Sequence, residues 1–310
     1  MAYSLKENLK KKERLSGGHR MCAGCGAPIA VRSVLRALEP EDRAVVCSAT
    51  SCLEVSTFMY PYTAWKESFI HNAFENSAAT MSGVETAYRA LKKRGELEDT
   101  YKFIAFGGDG GTYDIGFQSL SGAMERGHDM VYVCYDNEAY MNTGIQRSSS
   151  TPQFADTTTT PVGTEIPGKL QYKKDLTKII AAHHIPYAAQ TTFTRNFKDL
   201  NEKSHKAIYT QGAAFLNVMA PCPRGWRYSA EKLMEICSLA VETCVWPLFE
   251  VIDGQWLLSY EPKNKLPVED YLKLQGRFSH MFKQGSEWMI EQYQAEVDRR
   301  WEELKALCGK

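Results

Sequence analysis

The chain has 310 residues, 44% of them hydrophobic, enough for a substantial core in one large domain or two ordinary ones. Its 37 Lys and Arg balance 37 Asp and Glu, which excludes the basic excess of a nucleic-acid binder and the acidic arm of a solvating tail. No apolar run reaches the ~20 residues of a membrane helix, and the charged segment Lys6 to Arg14 has no apolar stretch behind it, so a cytoplasmic protein with neither membrane nor nucleic acid among its partners is expected.

In chain order, residues 27–38 carry apolar positions at helical spacing, and Arg43 to Cys47 reads as a short buried strand. Ser77 to Lys93 fits a longer helix. Lys102 to Phe106 is a strand running into a glycine loop, Asp114 to Arg126 a helix, and Met130 to Tyr135 another strand. The alternation predicts an α/β fold with a doubly wound parallel sheet and right-handed crossovers. Ser148 to Lys169, rich in Ser, Thr, Pro and Gly, is a loop long enough to be functional. Leu176–Ala181, Tyr187–Gln190, Phe197–Ala207 and Ala213–Met219 continue the sheet, Trp246 to Tyr260 forms a hairpin turning at Asp253-Gly254, and Ser286 to Leu307 is a long charged helix. Residues 1–250 are expected to form the α/β domain, and 251–310 a hairpin end and helical extension packed on it or on a partner.

The most informative motif is Gly108-Asp109-Gly110-Gly111. Glycines let the backbone approach a diphosphate, a strand-end carboxylate is a hard ligand for Mg²⁺, and the following helix offers its positive N-terminus. Asn137 lies 28 residues after Asp109, just past the next strand, so both emerge at the carboxyl edge where open α/β sheets bind ligands. An isolated Gly-Asp-Gly would be only a strand-to-helix turn. Followed by a helix, an apolar strand and Asp136-Asn137-Glu138, it matches the thiamine diphosphate motif in order and spacing. No Gly-Lys-Ser/Thr follows it as in a Walker A loop, and the Rossmann G-x-G-x-x-G is absent here.

Nine cysteines in a chain without a secretion signal argue for ligands rather than a disulfide framework. Cys22-Ala23-Gly24-Cys25 is a C-x-x-C knuckle, and Cys52 and Cys222 lie in loops after predicted strands. Four thiolates suit Zn²⁺ or a 4Fe-4S cluster, and spacing alone leaves both open; two single, distant cysteines favour a cluster threaded into a larger fold. Cys47 competes with Cys52 but falls within a strand. Cys134, Cys237, Cys244 and Cys308 are assigned to packing.

Taken in order, Gly18 to Pro28, Cys52 to Ser56, Tyr60 to Trp65, His71 to Asn76, Gly107 to Gly116, Tyr135 to Gly144, Gln146 to Ser148 and Pro221-Cys222-Pro223 carry a close resemblance over nearly the whole chain. The chain resembles the thiamine diphosphate-binding beta subunits of 2-oxoacid:ferredoxin oxidoreductases, nearest to pyruvate:ferredoxin oxidoreductase (pyruvate synthase). The resemblance implies the pyrophosphate-type thiamine diphosphate fold with a C-terminal helical extension. It implies a 4Fe-4S cluster on Cys22, Cys25, Cys52 and Cys222, and Mg²⁺ on Asp109, the Asn137 side chain and the Ala139 carbonyl. Cofactor contacts would come from Cys52, Gly108, Gly110 and Gly111, with Asn142 facing cofactor and substrate as the catalytic residue. Alpha and gamma/delta subunits are the implied partners. The alpha subunit would bring the glutamate that activates the aminopyrimidine, so Glu54 and Glu75 are not candidates for that role. The implied reaction is the reversible oxidative decarboxylation of pyruvate to acetyl-CoA and CO₂, with electrons leaving singly through the cluster to ferredoxin.

Two departures, Ser51 where many relatives have glycine and the charged Lys66-Glu67-Ser68, are expected near the active site and leave room for another acid. Oxalate oxidoreductase, which needs no coenzyme A, is the substrate alternative. Alternatives of other classes are a non-redox thiamine-dependent lyase with a structural four-cysteine zinc site and a degenerate regulatory module. His19, His71 and His128 read as scaffold residues. Tyr60, Tyr62 and Trp65 suit packing or subunit contact, and Arg147 either an anion contact or a loop cap.

Overall fold

Strands covered on both faces are apolar at successive positions rather than alternating, and the centre of this sheet follows that rule. The computed structural model describes residues 4–194 and 197–310. Its strands are β1 (Arg43–Ser48), β2 (Phe58–Met59), β3 (Tyr62–Thr63), β4 (Ser68–His71), β5 (Tyr101–Gly108), β6 (Val131–Asp136), β7 (Tyr187–Thr192), β8 (Ala214–Met219), β9 (Phe249–Ile252) and β10 (Gln255–Leu258). Every position of β6, β7 and β8 is buried.

The main sheet runs β4-β1-β5-β6-β8-β7-β9-β10. The first six strands are parallel, and the β9-β10 hairpin closes the far side in antiparallel pairing with β7. It turns at Asp253 and Gly254, both at positive φ, the backbone that a two-residue hairpin turn demands. From β1 the chain moves outward to β4 and then crosses back to β5 on β1's other side. The loops after β1 and β5 therefore diverge, and the crevice between them is where such a sheet receives a ligand. β2 and β3 form a separate small hairpin.

Helices cover the sheet where their apolar stripes dictate. The helix Ser77–Arg94 ends at Gly95 in left-handed conformation with Lys92, Lys93 and Arg94 in its last turn, a cation-rich C-terminus that suits the helix dipole. Glu287–Leu307 buries Met289, Tyr293, Val297, Trp301 and Leu304, one stripe that joins the same core as the sheet. The C-terminal extension is thus packed on this domain. Among the described residues no helix is long and apolar enough to cross a membrane.

Local differences from expectation cluster at short elements. The helix expected from Asp114 begins earlier as a π-helical turn, Gly110–Ile115, and continues as the α-helix Phe117–Glu125. Cys52 and Cys222 do not lie in open loops. Cys52 opens the helix Cys52–Thr57, and Cys222 is the N-cap of Pro223–Trp226. Strand β4 and the helix Val268–Leu272 also lacked a sequence signal long enough to separate them from loop, whereas Leu233–Glu242 carries Leu233, Ile236, Cys237, Ala240 and Val241 at helical spacing, a signal that sequence reasoning did not single out.

Candidate active site

Three loops at the carboxyl edge meet in one narrow cleft, lined by Thr50 to Cys52 after β1, Gly108 to Gly111 after β5, and Asn137 with Ala139 to Thr143 after β6. Gly110 carries no side chain because the Tyr140 ring fills the position a Cβ would take, and the Tyr140 hydroxyl donates to the Gly110 carbonyl at 2.9 Å. Asp109 is almost wholly buried; its Oδ2 accepts from Ser148 Oγ at 2.5 Å and its Oδ1 from the Asn137 backbone N–H at 3.3 Å. One terminal amide atom of Asn137 stands 2.9 Å from Asp109 Oδ1 and 2.8 Å from the Ala139 carbonyl. As nitrogen it hydrogen-bonds both; as oxygen it makes with them a knot of three oxygens that a cation would satisfy. Burial, then the neighbouring Asp136 charge, pushes the Asp109 carboxyl well above its usual range, against the pull of Ser148, Lys173 and the Asn137 N–H. A hard cation placed there would reverse that balance.

Beside this cleft lie the thiols. Tyr228 donates its hydroxyl to the Gly24 and Pro221 carbonyls at 2.8 and 3.0 Å, and the Gly26 N–H bonds Pro221 at 3.0 Å, so the C-x-x-C loop is docked on the Cys222 loop. Gly24, at φ 75°, has Ala230 packed where a Cβ would project. The Gly225 N–H points at Cys222 Sγ, 3.4 Å away. Burial pushes the Cys25 and Cys52 thiols up to about 12 and raises Cys222 as well, and repulsion among the cysteines adds to this, which makes the four mutual electrostatic neighbours. Among the described residues, no group of three or more His, Cys, Asp or Glu side chains is arranged to hold a single metal ion. Of the four cysteines, Cys52 alone lines the cleft with Asp109 and Asn137.

Residues 44–218, more than half of the chain, match the family model described as "Thiamine pyrophosphate enzyme, C-terminal TPP binding domain". Over 304 residues the chain is 53% identical to pyruvate synthase subunit PorB of Thermotoga maritima, covering 96% of this chain and 93% of that protein. It is 43% identical to ketoisovalerate oxidoreductase subunit VorB of Pyrococcus furiosus, covering 97% of each. The chain belongs to the thiamine diphosphate-binding beta subunits of 2-oxoacid:ferredoxin oxidoreductases. A solved 2-oxoglutarate:ferredoxin oxidoreductase from Magnetococcus marinus shares its fold, with a TM-score of 0.57 at 19% identity over 76% of this chain and 80% of that one.

In this beta subunit the loop after β6 rests on side chains that sequence reasoning did not single out. Asp136 Oδ1 accepts from Ser150 Oγ at 2.6 Å, and its Oδ2 accepts from the Tyr113 hydroxyl at 2.7 Å and Lys173 Nζ at 2.9 Å. Lys173 also reaches Glu138 Oε1 at 2.9 Å, Arg277 reaches Glu138 Oε2 at 2.5 Å, and Thr151 Oγ1 donates to the Glu138 carbonyl at 2.7 Å. Burial alone would raise the Glu138 carboxyl, but Lys173 and Arg277 outweigh it and hold the group below its usual range. Two carboxylates, Asp136 and Glu138, thus face two cations, Lys173 and Arg277, and their charges balance. Asp109 faces the cleft without a cation of its own. The serine run 148–150 was visible as part of a functional loop, but its hydroxyls' targets were not.

Of the two departures expected near the site, Ser51 lines the cleft and Glu67 lies away from it. Ser51 has an extended backbone, φ −179°, that any residue adopts, and its hydroxyl donates to the Ala49 carbonyl at 2.9 Å. Glu67 lies at the opposite edge of the sheet, paired with Arg14 at 2.5 Å and accepting from the Ala44 N–H near the start of β1. Asn142 is exposed on the cleft's rim. His71 pairs with buried Glu54 at 2.6 Å and His128 with Glu85 at 2.9 Å, scaffold contacts outside the cleft. Trp65 is buried against Phe69, whereas Tyr60 and Tyr62 are exposed.

Proposed function

We propose that this beta subunit serves a pyruvate:ferredoxin oxidoreductase, holding thiamine diphosphate with Mg²⁺ on Asp109, Asn137 and the Ala139 carbonyl beside a 4Fe-4S cluster on Cys22, Cys25, Cys52 and Cys222. The observation that carries this reading is the convergence of the Asp109 carboxylate, the Asn137 side-chain amide and the Ala139 carbonyl, with one amide atom 2.9 and 2.8 Å from the other two, and Cys52 lining the same cleft. These donors fit Mg²⁺, which takes hard oxygens and keeps some of its positions for water or phosphate. A four-iron cluster fits the thiols, because each sulfur binds a different iron and the sulfurs need not close around one ion. Held there, thiamine diphosphate would supply carbanion chemistry for decarboxylating a 2-oxo acid, and a cluster on the four cysteines would supply one-electron acceptance.

The chain's own groups orient these partners. The glycine loop would bring its backbone N–H groups to the diphosphate, Asp109 and Asn137 would fix the cation, and Asn142 on the rim would face the substrate. Residues 1–250 form the cofactor unit and 251–310 the hairpin end and extension. Alpha and gamma/delta subunits, coenzyme A as acyl acceptor and ferredoxin as electron acceptor complete the reaction. Nine free thiols suit a cytoplasmic, reducing setting. Pyruvate is favoured over other acids by the relatives named pyruvate synthase at 53% and 50% identity.

The test is anaerobic purification with co-purifying subunits, followed by the iron-sulfur spectrum on adding pyruvate, oxalate, 2-oxoglutarate or ketoisovalerate separately, with Cys52→Ala as control. Bleaching by pyruvate, with turnover only when coenzyme A is present, is the expected result. Response to oxalate without coenzyme A would move the assignment to that acid, and zinc in place of iron with no response would overturn the redox reading.

A further inference from the structure

Trp226 stands where the two halves of the site meet. It ends the short helix whose N-cap is Cys222, its ring is wholly buried, and its indole N–H donates to the Asn137 carbonyl at 2.7 Å. Arg277 lays its guanidinium on that ring, 3.9 Å from the centroid, while donating to Glu138 Oε2 at 2.5 Å. Gln275 Oε1 accepts from Arg277 Nε and Nη2 at 3.0 and 2.7 Å, so the fork cannot swing. Between the two anchored groups, Glu138 is held at φ 67°, a conformation that a residue with a side chain keeps only when its surroundings over-determine it. Both struts lie outside residues 44–218 that match the domain model.

We propose that Trp226 and Arg277 are positioning residues for the divalent cation, bracing the Asn137–Ala139 ligand loop against the loop that carries Cys222. The inference rests on the reading of Asp109, Asn137 and Ala139 as cation ligands, and assigns their alignment to a segment more than eighty residues further along the chain. Neither side chain touches the cation. Trp226 acts through the carbonyl of the ligand residue itself, and Arg277 through the carboxylate of the next residue and the face of the indole. Trp226→Phe keeps an aromatic face but deletes the indole N–H and part of the ring, so a positioning role is read from Mg²⁺ affinity with iron retained, whereas a packing role would show as loss of both.

The experiment uses the full chain with its co-purifying subunits, stripped of divalent cation by a chelator under anaerobic conditions. Mg²⁺ is then titrated by calorimetry at saturating thiamine diphosphate, with iron content measured alongside. Trp226→Phe is expected to raise the Mg²⁺ dissociation constant about 10- to 100-fold, the range for lost outer-shell partners, with iron retained and thiamine diphosphate binding restored by excess Mg²⁺. Arg277→Lys, which keeps the charge but not the fork, should show a smaller shift in the same direction. Mg²⁺ binding within about twofold of the parent in both variants would overturn the proposal, as would a loss that excess Mg²⁺ cannot rescue and that iron loss accompanies. Failure of the unaltered protein to bind Mg²⁺ with thiamine diphosphate would instead count against the cation reading.

Discussion

Around β6's end each carboxylate of the ligand loop has partners supplied by the chain itself, whereas half-buried Cys25 and Cys52 and buried Cys222 have little beyond a few backbone N–H groups to stabilise a thiolate. The first region is preorganised by Ser148, Ser150, Lys173 and Arg277, so its geometry precedes any ligand. In the second, burial opposes the charge that a metal ligand must carry, and the proposed cluster would have to supply the stabilisation that the chain does not. The two halves share a cleft but should fail separately.

Asp109→Ala offers the severest break. Removing the one anionic donor of the cleft should weaken thiamine diphosphate binding in the presence of Mg²⁺ by more than the about 100-fold typical of outer-shell losses, read by calorimetry. Iron and acid-labile sulfide should stay at parent levels; their loss would show that the halves are not independent. The converse is Cys25→Ser, expected to abolish bound iron while Mg²⁺ titration at saturating thiamine diphosphate is essentially unchanged.

Smaller effects sharpen the contrast between site and scaffold. Glu67→Ala leaves Arg14 buried without its carboxylate at the far edge, at a cost of about 3–5 kcal/mol in denaturant unfolding, with no change in preference among 2-oxo acids. Ser150→Ala removes one of two donors to Asp136 Oδ1 and should cost about 1–3 kcal/mol. Ser51→Gly should cost about 1 kcal/mol or less and leave substrate preference untouched; a changed preference would return Ser51 to the specificity determinants.

The parallel core and the placement of Asp109 and Asn137 were legible because both follow from local rules: apolar runs mark buried strands, and residues just past parallel strands share the carboxyl edge. Cys52 in the cleft was legible for the same reason. Arg277 and Trp226 were not, since no spacing or periodicity ties Arg277 to Glu138 across 139 residues or Trp226 to Asn137 across 89. Strand β4 escaped notice because four residues with polar Ser68 and His71 at its ends show neither alternation nor an apolar run. Glu67 was misplaced because sequence proximity to Trp65 says nothing about which end of a strand a residue occupies.

The strand order also sets a timetable. β1, β5, β6 and β8 are neighbours in the sheet but are separated in sequence by whole crossovers, so Asp109 and Asn137 meet across one crossover, while Cys52 and Cys222 come from segments on either side of it. Cys22 is synthesised near the start and Cys222 two hundred residues later. Until β8 takes its place against β6, the early thiols lack their last companion and Asn137 lacks the indole above it. The proposed cluster would therefore be completed late, on a sheet whose strands are already in place.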